Sequence, residues 1–109
     1  GGDPLFQGNA IYEGDADGVV CTAYGCGTFI KNKIHQNTLQ GFVITREANP
    51  LLIGNMISAN KRCGIQIADK GRGLLEGNKV MQNCDAGLRI ESKANPLVQK
   101  DNRFGDGKA

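Results

Sequence analysis

Asn49-Pro50-Leu51-Leu52-Ile53-Gly54-Asn55-Met56-Ile57-Ser58-Ala59-Asn60-Lys61-Arg62-Cys63-Gly64-Ile65-Gln66-Ile67-Ala68-Asp69-Lys70-Gly71 is one unit of a 23-residue repeat. Gly64 in this unit has counterparts at Gly18, Gly41 and Gly87, and Asn55 has counterparts at Asn9, Asn32 and Asn78. A fixed period of this length marks a stacked architecture in which each unit covers the face of the next. The units run 3–25, 26–48, 49–71 and 72–94, with 95–109 a partial fifth. The chain therefore reads as a single domain and as a section of a longer solenoid.

Four apolar columns define the core. Phe6, Phe29, Leu52, Leu75 and Val98 form the first, and Ile11, Ile34, Ile57 and Val80 the second. Val19, Phe42, Ile65 and Leu88 form the third, and Cys21, Ile44, Ile67 and Ile90 lie two residues further on. A spacing of two is the strand period, with alternate side chains inward. The β-branched residues in these columns suit a pleated surface. The prediction is an all-β fold, a right-handed parallel β-helix of about 4.5 rungs with three short strands per rung. Rungs would rise by about 4.8 Å each.

The asparagines read as corner residues whose amides can stack into a ladder. Asn37, Asn60 and Asn83 mark a second corner. The glycine column needs either a positive φ or room that a Cβ would fill. A slower alternation overlies the period: units open with Asp3-Pro4, Asn49-Pro50 and Asn95-Pro96, or with Cys26-Gly27 and Arg72-Gly73. The last unit slips. Asp101 falls in the asparagine slot and Asn102-Arg103-Phe104 lies one residue late, which predicts a local bulge.

The net charge is +2 and the lysines and arginines are scattered, so the chain does not read as a nucleic-acid binder. No apolar run is long enough for a membrane helix. Cys21, Cys26, Cys63 and Cys84 show no C-x-x-C spacing. They read as reduced thiols, with Cys26, Cys63 and Cys84 at or near corners, and favour an intracellular compartment. Leu5-Phe6-Gln7-Gly8 resembles a protease-tag scar but keeps the register of the repeat, so it reads as native.

No column carries chemistry. Asp15 and Asp17 meet Thr38 and Gln40 one unit on, so no carboxylate ladder forms for calcium. His35, the single histidine, shares its column with Tyr12, Ser58 and Met81 and has no nucleophile beside it. Gly71-Arg72-Gly73 precedes no helix that could hold a phosphate. Neither cofactor nor metal is expected. Opposite charges fall one unit apart at Arg62 and Asp85, at Arg46 and Asp69, and at Glu47, Lys70 and Lys93. Cross-strand pairs of this kind contribute some tenths of a kcal/mol, about 0.2–1 each. The candidate binding surface is the set of variable outward residues Tyr12, His35, Arg46, Lys70, Arg89 and Lys93. The basic side chains Lys31, Lys33, Lys61, Arg62, Lys79 and Lys100 also fall on outward columns.

The stretches Asn49 to Ile57, Gly64-Ile65-Gln66-Ile67, Gly71 to Val80 and Ala86-Gly87-Leu88-Arg89-Ile90 resemble repeats of right-handed parallel β-helices of the carbohydrate-binding-and-sugar-hydrolase (CASH) type. The alternating Asn-Pro and Gly-x-Gly corners are most similar to those of the F-box adaptors of ubiquitin ligases and of SHC-binding spindle proteins. The resemblance implies a substrate-recognition or scaffolding β-helix within a larger intracellular protein. A protein partner is the leading expectation, with a carbohydrate-binding or polysaccharide-processing role as the alternative. End-to-end self-association through uncapped rungs is a further expectation.

Overall fold

The computed structural model describes residues 4–22, 27–91 and 93–105. Cys26 lies outside the described residues. The strands follow one another as β1 (Leu5–Gln7), β2 (Ala10–Tyr12), β3 (Val19–Cys21), β4 (Thr28–Ile30), β5 (Lys33–His35), β6 (Phe42–Ile44), β7 (Leu51–Ile53), β8 (Met56–Ser58), β9 (Cys63–Ile67), β10 (Leu74–Glu76), β11 (Lys79–Met81), β12 (Ala86–Ile90), β13 (Leu97–Val98) and β14 (Arg103–Phe104). They form three parallel sheets: sheet A in the order β1-β4-β7-β10-β13, sheet B β2-β5-β8-β11-β14, and sheet C β3-β6-β9-β12. Each strand pairs with its counterpart one repeat away, as Leu52 does with Phe29 and Leu75. This is the three-walled solenoid that the period predicts.

The four apolar columns point into the coil. Ile34, Phe42, Ile44, Leu52, Ile57, Ile65, Ile67, Leu75 and Val80 are fully buried. Each such side chain contributes about 1.5–3 kcal/mol by leaving water. Phe6 stacks on Phe29 with ring centroids 4.8 Å apart, and Phe29 meets Phe42 edge-on at 4.9 Å.

Two asparagine ladders run along the coil, one from Asn9 to Asn102 and a shorter one from Asn37 to Asn83. Asn32 directs both its N–H and its Nδ2 to Oδ1 of Asn55, at 2.9 and 3.0 Å, while Nδ2 also reaches the Phe6 carbonyl at 3.0 Å. Asn37 does the same toward Asn60, at 3.1 and 3.0 Å. Six asparagines are buried in this way, and no buried side-chain nitrogen or oxygen among the described residues is left unpaired. That matters because an unpaired polar group at such depth costs about 1–3 kcal/mol.

The glycine column is a matter of room and not of φ. A Cβ on Gly41 would lie 2.5 Å from Ile57 Cγ2 and 2.9 Å from the Gly64 carbonyl oxygen. Positive φ falls elsewhere, on Gly8, Lys31, Gly54 and Gly77 in the turn that joins sheets A and B.

The last unit slips by one residue, as its sequence predicts: Lys79 pairs with Arg103 and Val80 with Phe104. The asparagine slot, however, goes to Asn102 and not to Asp101. Asn102 Oδ1 accepts from Asn78 N and Nδ2 at 2.9 Å, and Asp101 Oδ1 moves aside to accept from Gly77 N at 3.0 Å. The ladder needs a group that both donates and accepts, which a carboxylate does not supply.

Three expected ion pairs do not form. Arg62 and Asp85 are joined by the Asp85 N–H and the Arg62 carbonyl, at 3.1 Å, and not through their side chains. Arg46, Glu47, Asp69, Lys70 and Lys93 all have left-handed backbones, with φ of 52°, 62°, 49°, 63° and 70°. This turn splays its side chains into solvent, where an ion pair gains little.

Candidate binding surface

The six residues singled out in the sequence fall on three separate parts of the coil. Tyr12 and His35 stand next to each other on the outer face of sheet B, their rings stacked at 5.0 Å with 11° between planes. His35 Nδ1 also lies 3.1 Å from Gln36 Oε1. Arg89 projects from sheet C in the column of Val20, Val43 and Gln66. Arg46, Lys70 and Lys93 line the turn that follows sheet C.

The outer face of sheet B carries both cations and thioethers. Lys33, Met56, Lys79 and Arg103 share one column, and Met56 and Met81 are both exposed.

The outer face of sheet A is different, and column analysis of the core passes over it. Leu5, Thr28, Leu51, Leu74 and Leu97 form one outward column, with Gln7, Ile30, Ile53 and Glu76 beside it. Leu5 and Leu97 are 60% and 59% exposed, and Ile30, Leu51, Ile53 and Leu74 are half-buried. Its sequence signal is the unbroken triplet Leu51-Leu52-Ile53. A strand with one wet face alternates apolar and polar residues, whereas this one is apolar on both. Five strands at about 4.8 Å make a stripe roughly 20 Å long.

Asp17 Oδ1 accepts from Gln40 N and Nε2 at 2.9 and 3.1 Å, and Asp15 is exposed. Among the described residues, no three His, Cys, Asp or Glu side chains are grouped to hold a metal ion. No described helix is long and apolar enough to cross a membrane. Cys63 and Cys84 are free thiols. Cys63 opens β9 next to the Asn60 corner and is buried, and that burial pushes its thiol pKa up. Cys84 is exposed.

The first coil leaves an opening at the N-terminal end. A cavity of about 480 Å³ lies there, lined by Phe6, Ile11, Val19, Val20, Cys21 and Phe29 among others.

Among solved structures, the chain is similar to the periplasmic alginate epimerase AlgG. The match has a TM-score of 0.74 and 27% identity, and covers 79% of this chain and 21% of that one. The chain thus corresponds to about a fifth of that enzyme's length. Among curated proteins nothing matches. The family model described as the right-handed beta helix region matches residues 1–109, and with the three-walled parallel coil it shows that the chain belongs to the right-handed β-helix family.

Proposed function

We propose that the chain is a non-catalytic recognition scaffold that docks a protein partner on the outer wall of sheet A. The observation that carries this reading is the outward apolar stripe of Leu5, Ile30, Leu51, Ile53, Leu74 and Leu97. A contiguous apolar surface on a rigid wall is the signature of a protein contact. The similarity of the Asn-Pro and Gly-x-Gly corners to those of ubiquitin-ligase adaptors supports a substrate-recognition role inside a larger assembly. The free thiols Cys63 and Cys84 support an intracellular setting. The test is a crosslinking comparison in cells between the native chain and Leu51→Lys/Leu74→Lys. Both positions face outward, so the variant keeps its strand signature by circular dichroism and loses the crosslinked partner. A partner retained by the folded variant would remove the wall from the proposal.

A second reading is recognition of an acidic glycan on sheet B. Lys33, Lys79 and Arg103 lie in one outward column beside the Tyr12–His35 stack. The likeness to an alginate epimerase gives this reading its ligand class, a polyuronate. Affinity electrophoresis in alginate measures it. Retardation that Lys33→Glu/Lys79→Glu abolishes supports the glycan, and unretarded native protein excludes it.

A further inference from the structure

We propose that the occupant of sheet A is a single amphipathic helix of a partner protein, laid along the coil axis and acidic on both flanks. The inference rests on the reading of this wall as a docking surface and gives the form of what docks there.

The backbone decides between a strand and a helix. Strands β4, β7 and β10 each pair with a strand on both sides. Their N–H and C=O groups are engaged in the ladder, so the wall gives an extended segment no main-chain bond. Strand addition draws its affinity from such bonds. The outward side chains of Ile30, Leu51, Ile53 and Leu74 have no hydrogen-bonding group to replace them. A helix bonds its own backbone and needs only an apolar surface for its apolar stripe.

The dimensions agree. The two outward columns lie two residues apart along the strand, about 7 Å, and the rungs rise by about 4.8 Å. A helix is about 10 Å across and climbs about 5.4 Å per turn. Its turns therefore keep near step with the rungs, slipping by only about 1 Å between Thr28 and Leu74. The stripe seats about 13 residues at about 1.5 Å each. Its area, about 20 by 10 Å, is far below the roughly 800 Å² per partner of a stable dimer. It suits one helix held reversibly and not a second copy of this chain.

Charge sets the flanks. Arg72 stands on one side of the stripe, and Lys31 and Lys100 on the other; all three are exposed. None of them makes an ion pair with a described residue. Gly54 gives the Lys31 stem room, since even a Cβ there would stay 3.6 Å from Lys31 Cγ. Glu76 is the single acid in the two outward columns. A helix with carboxylates on both flanks meets these cations, and a basic residue suits the place opposite Glu76.

Photocrosslinking in cells tests the form of the partner. Benzoylphenylalanine replaces Thr28, Leu51 or Leu74, one at a time, and mass spectrometry maps the attachment sites. Positions 28 and 74 are two rungs apart, about 9.6 Å. A helix advances by about six residues over that distance, and an extended segment by about three. Sites that advance by about six residues along one partner segment support the proposal. An advance of about three, or attachment to a second copy of this chain, overturns the helix. Attachment to another protein with an advance of about three leaves the wall a docking surface. No attachment at any of the three positions, with each chain folded by circular dichroism, removes the wall and the helix together. Lys31→Glu/Arg72→Glu is expected to lower the yield at position 51 severalfold, with the difference narrowing at high salt. An unchanged yield overturns the acidic flanks.

Discussion

Asn55 gives its backbone N–H and its side-chain Nδ2 to the same oxygen, Oδ1 of Asn78, at 2.8 and 3.0 Å, and its Nδ2 also holds the Phe29 carbonyl at 2.8 Å. Its own Oδ1 receives the same pair from Asn32. Alanine at 55 would take the acceptor from the Asn32 N–H, one of two donors from the Asn78 oxygen and a donor from the Phe29 carbonyl at once, all inside the coil. A loss of about 3 kcal/mol is expected in urea unfolding. Asn9→Ala, at the exposed end of the same ladder, is expected to change stability by well under half as much.

Glycines in different columns respond differently to alanine. At Gly64 a Cβ would overlap Val80 Cγ1 and lie 2.6 Å from Asn83 Nδ2, so Gly64→Ala forces the corner apart and costs about 3 kcal/mol. At Gly54 the nearest atom is Lys31 Cγ at 3.6 Å and the obstacle is a φ of +63°. Gly54→Ala is expected to cost about 1 kcal/mol, and Gly54→Asn less. Thermal unfolding of the three variants distinguishes room from conformation.

Position along the axis is expected to grade the cost of core truncation. Leu52 is sealed between the second and fourth coils, and Leu52→Ala should cost about 2–5 kcal/mol. Phe6 is 40% exposed at the end of the same column, so Phe6→Ala should cost less than Leu52→Ala despite removing a larger side chain. Amide exchange is expected to be slowest in β7 to β9 and to quicken toward both ends, as neighbour-to-neighbour stabilisation requires.

The thiols should separate kinetically. A thiol reagent at pH 8 is expected to modify Cys84 rapidly and Cys63 slowly, since Cys63 is buried and its pKa is raised, mainly by burial. The sign of the linked stability follows. The folded state holds the neutral thiol, so the contribution is full below the ordinary thiol pKa and is lost as pH rises above it. Cys63→Ala should therefore flatten the alkaline limb of a stability profile while leaving the limb below neutrality unchanged.

The fold was legible because its determinants recur: a residue such as Ile57 is one member of a column, and four members spaced 23 apart outweigh any local preference. The asparagine corners and the slip at the last unit were legible for the same reason. The outward apolar stripe of sheet A was not. The period sets Leu52 in a core column, while its neighbour Leu51 stands in an outward column that a search for core positions passes over. Arg46 and Asp69 share a column and carry opposite charges, yet left-handed backbones at both positions aim them at solvent, which spacing does not show. The candidate surface sets Arg89 with Tyr12 and His35, but the latter two stack on sheet B while Arg89 stands on sheet C, a separation that a linear column map does not show.

The ladders also bear on how the protein ages. An asparagine deamidates when the backbone nitrogen of the following residue attacks its side-chain carbonyl. In both ladders that nitrogen is already engaged. Lys33 N is held by the Asn9 carbonyl at 2.8 Å, Met56 N by Asn32 at 2.9 Å, Lys61 N by Asn37 at 3.0 Å, Lys79 N by Asn55 at 2.9 Å and Cys84 N by Asn60 at 3.0 Å. The residues most easily lost to chemical wear are thus held where the attacking geometry is out of reach. The coil is expected to keep its amides for as long as it stays folded, and to begin losing them from its frayed ends.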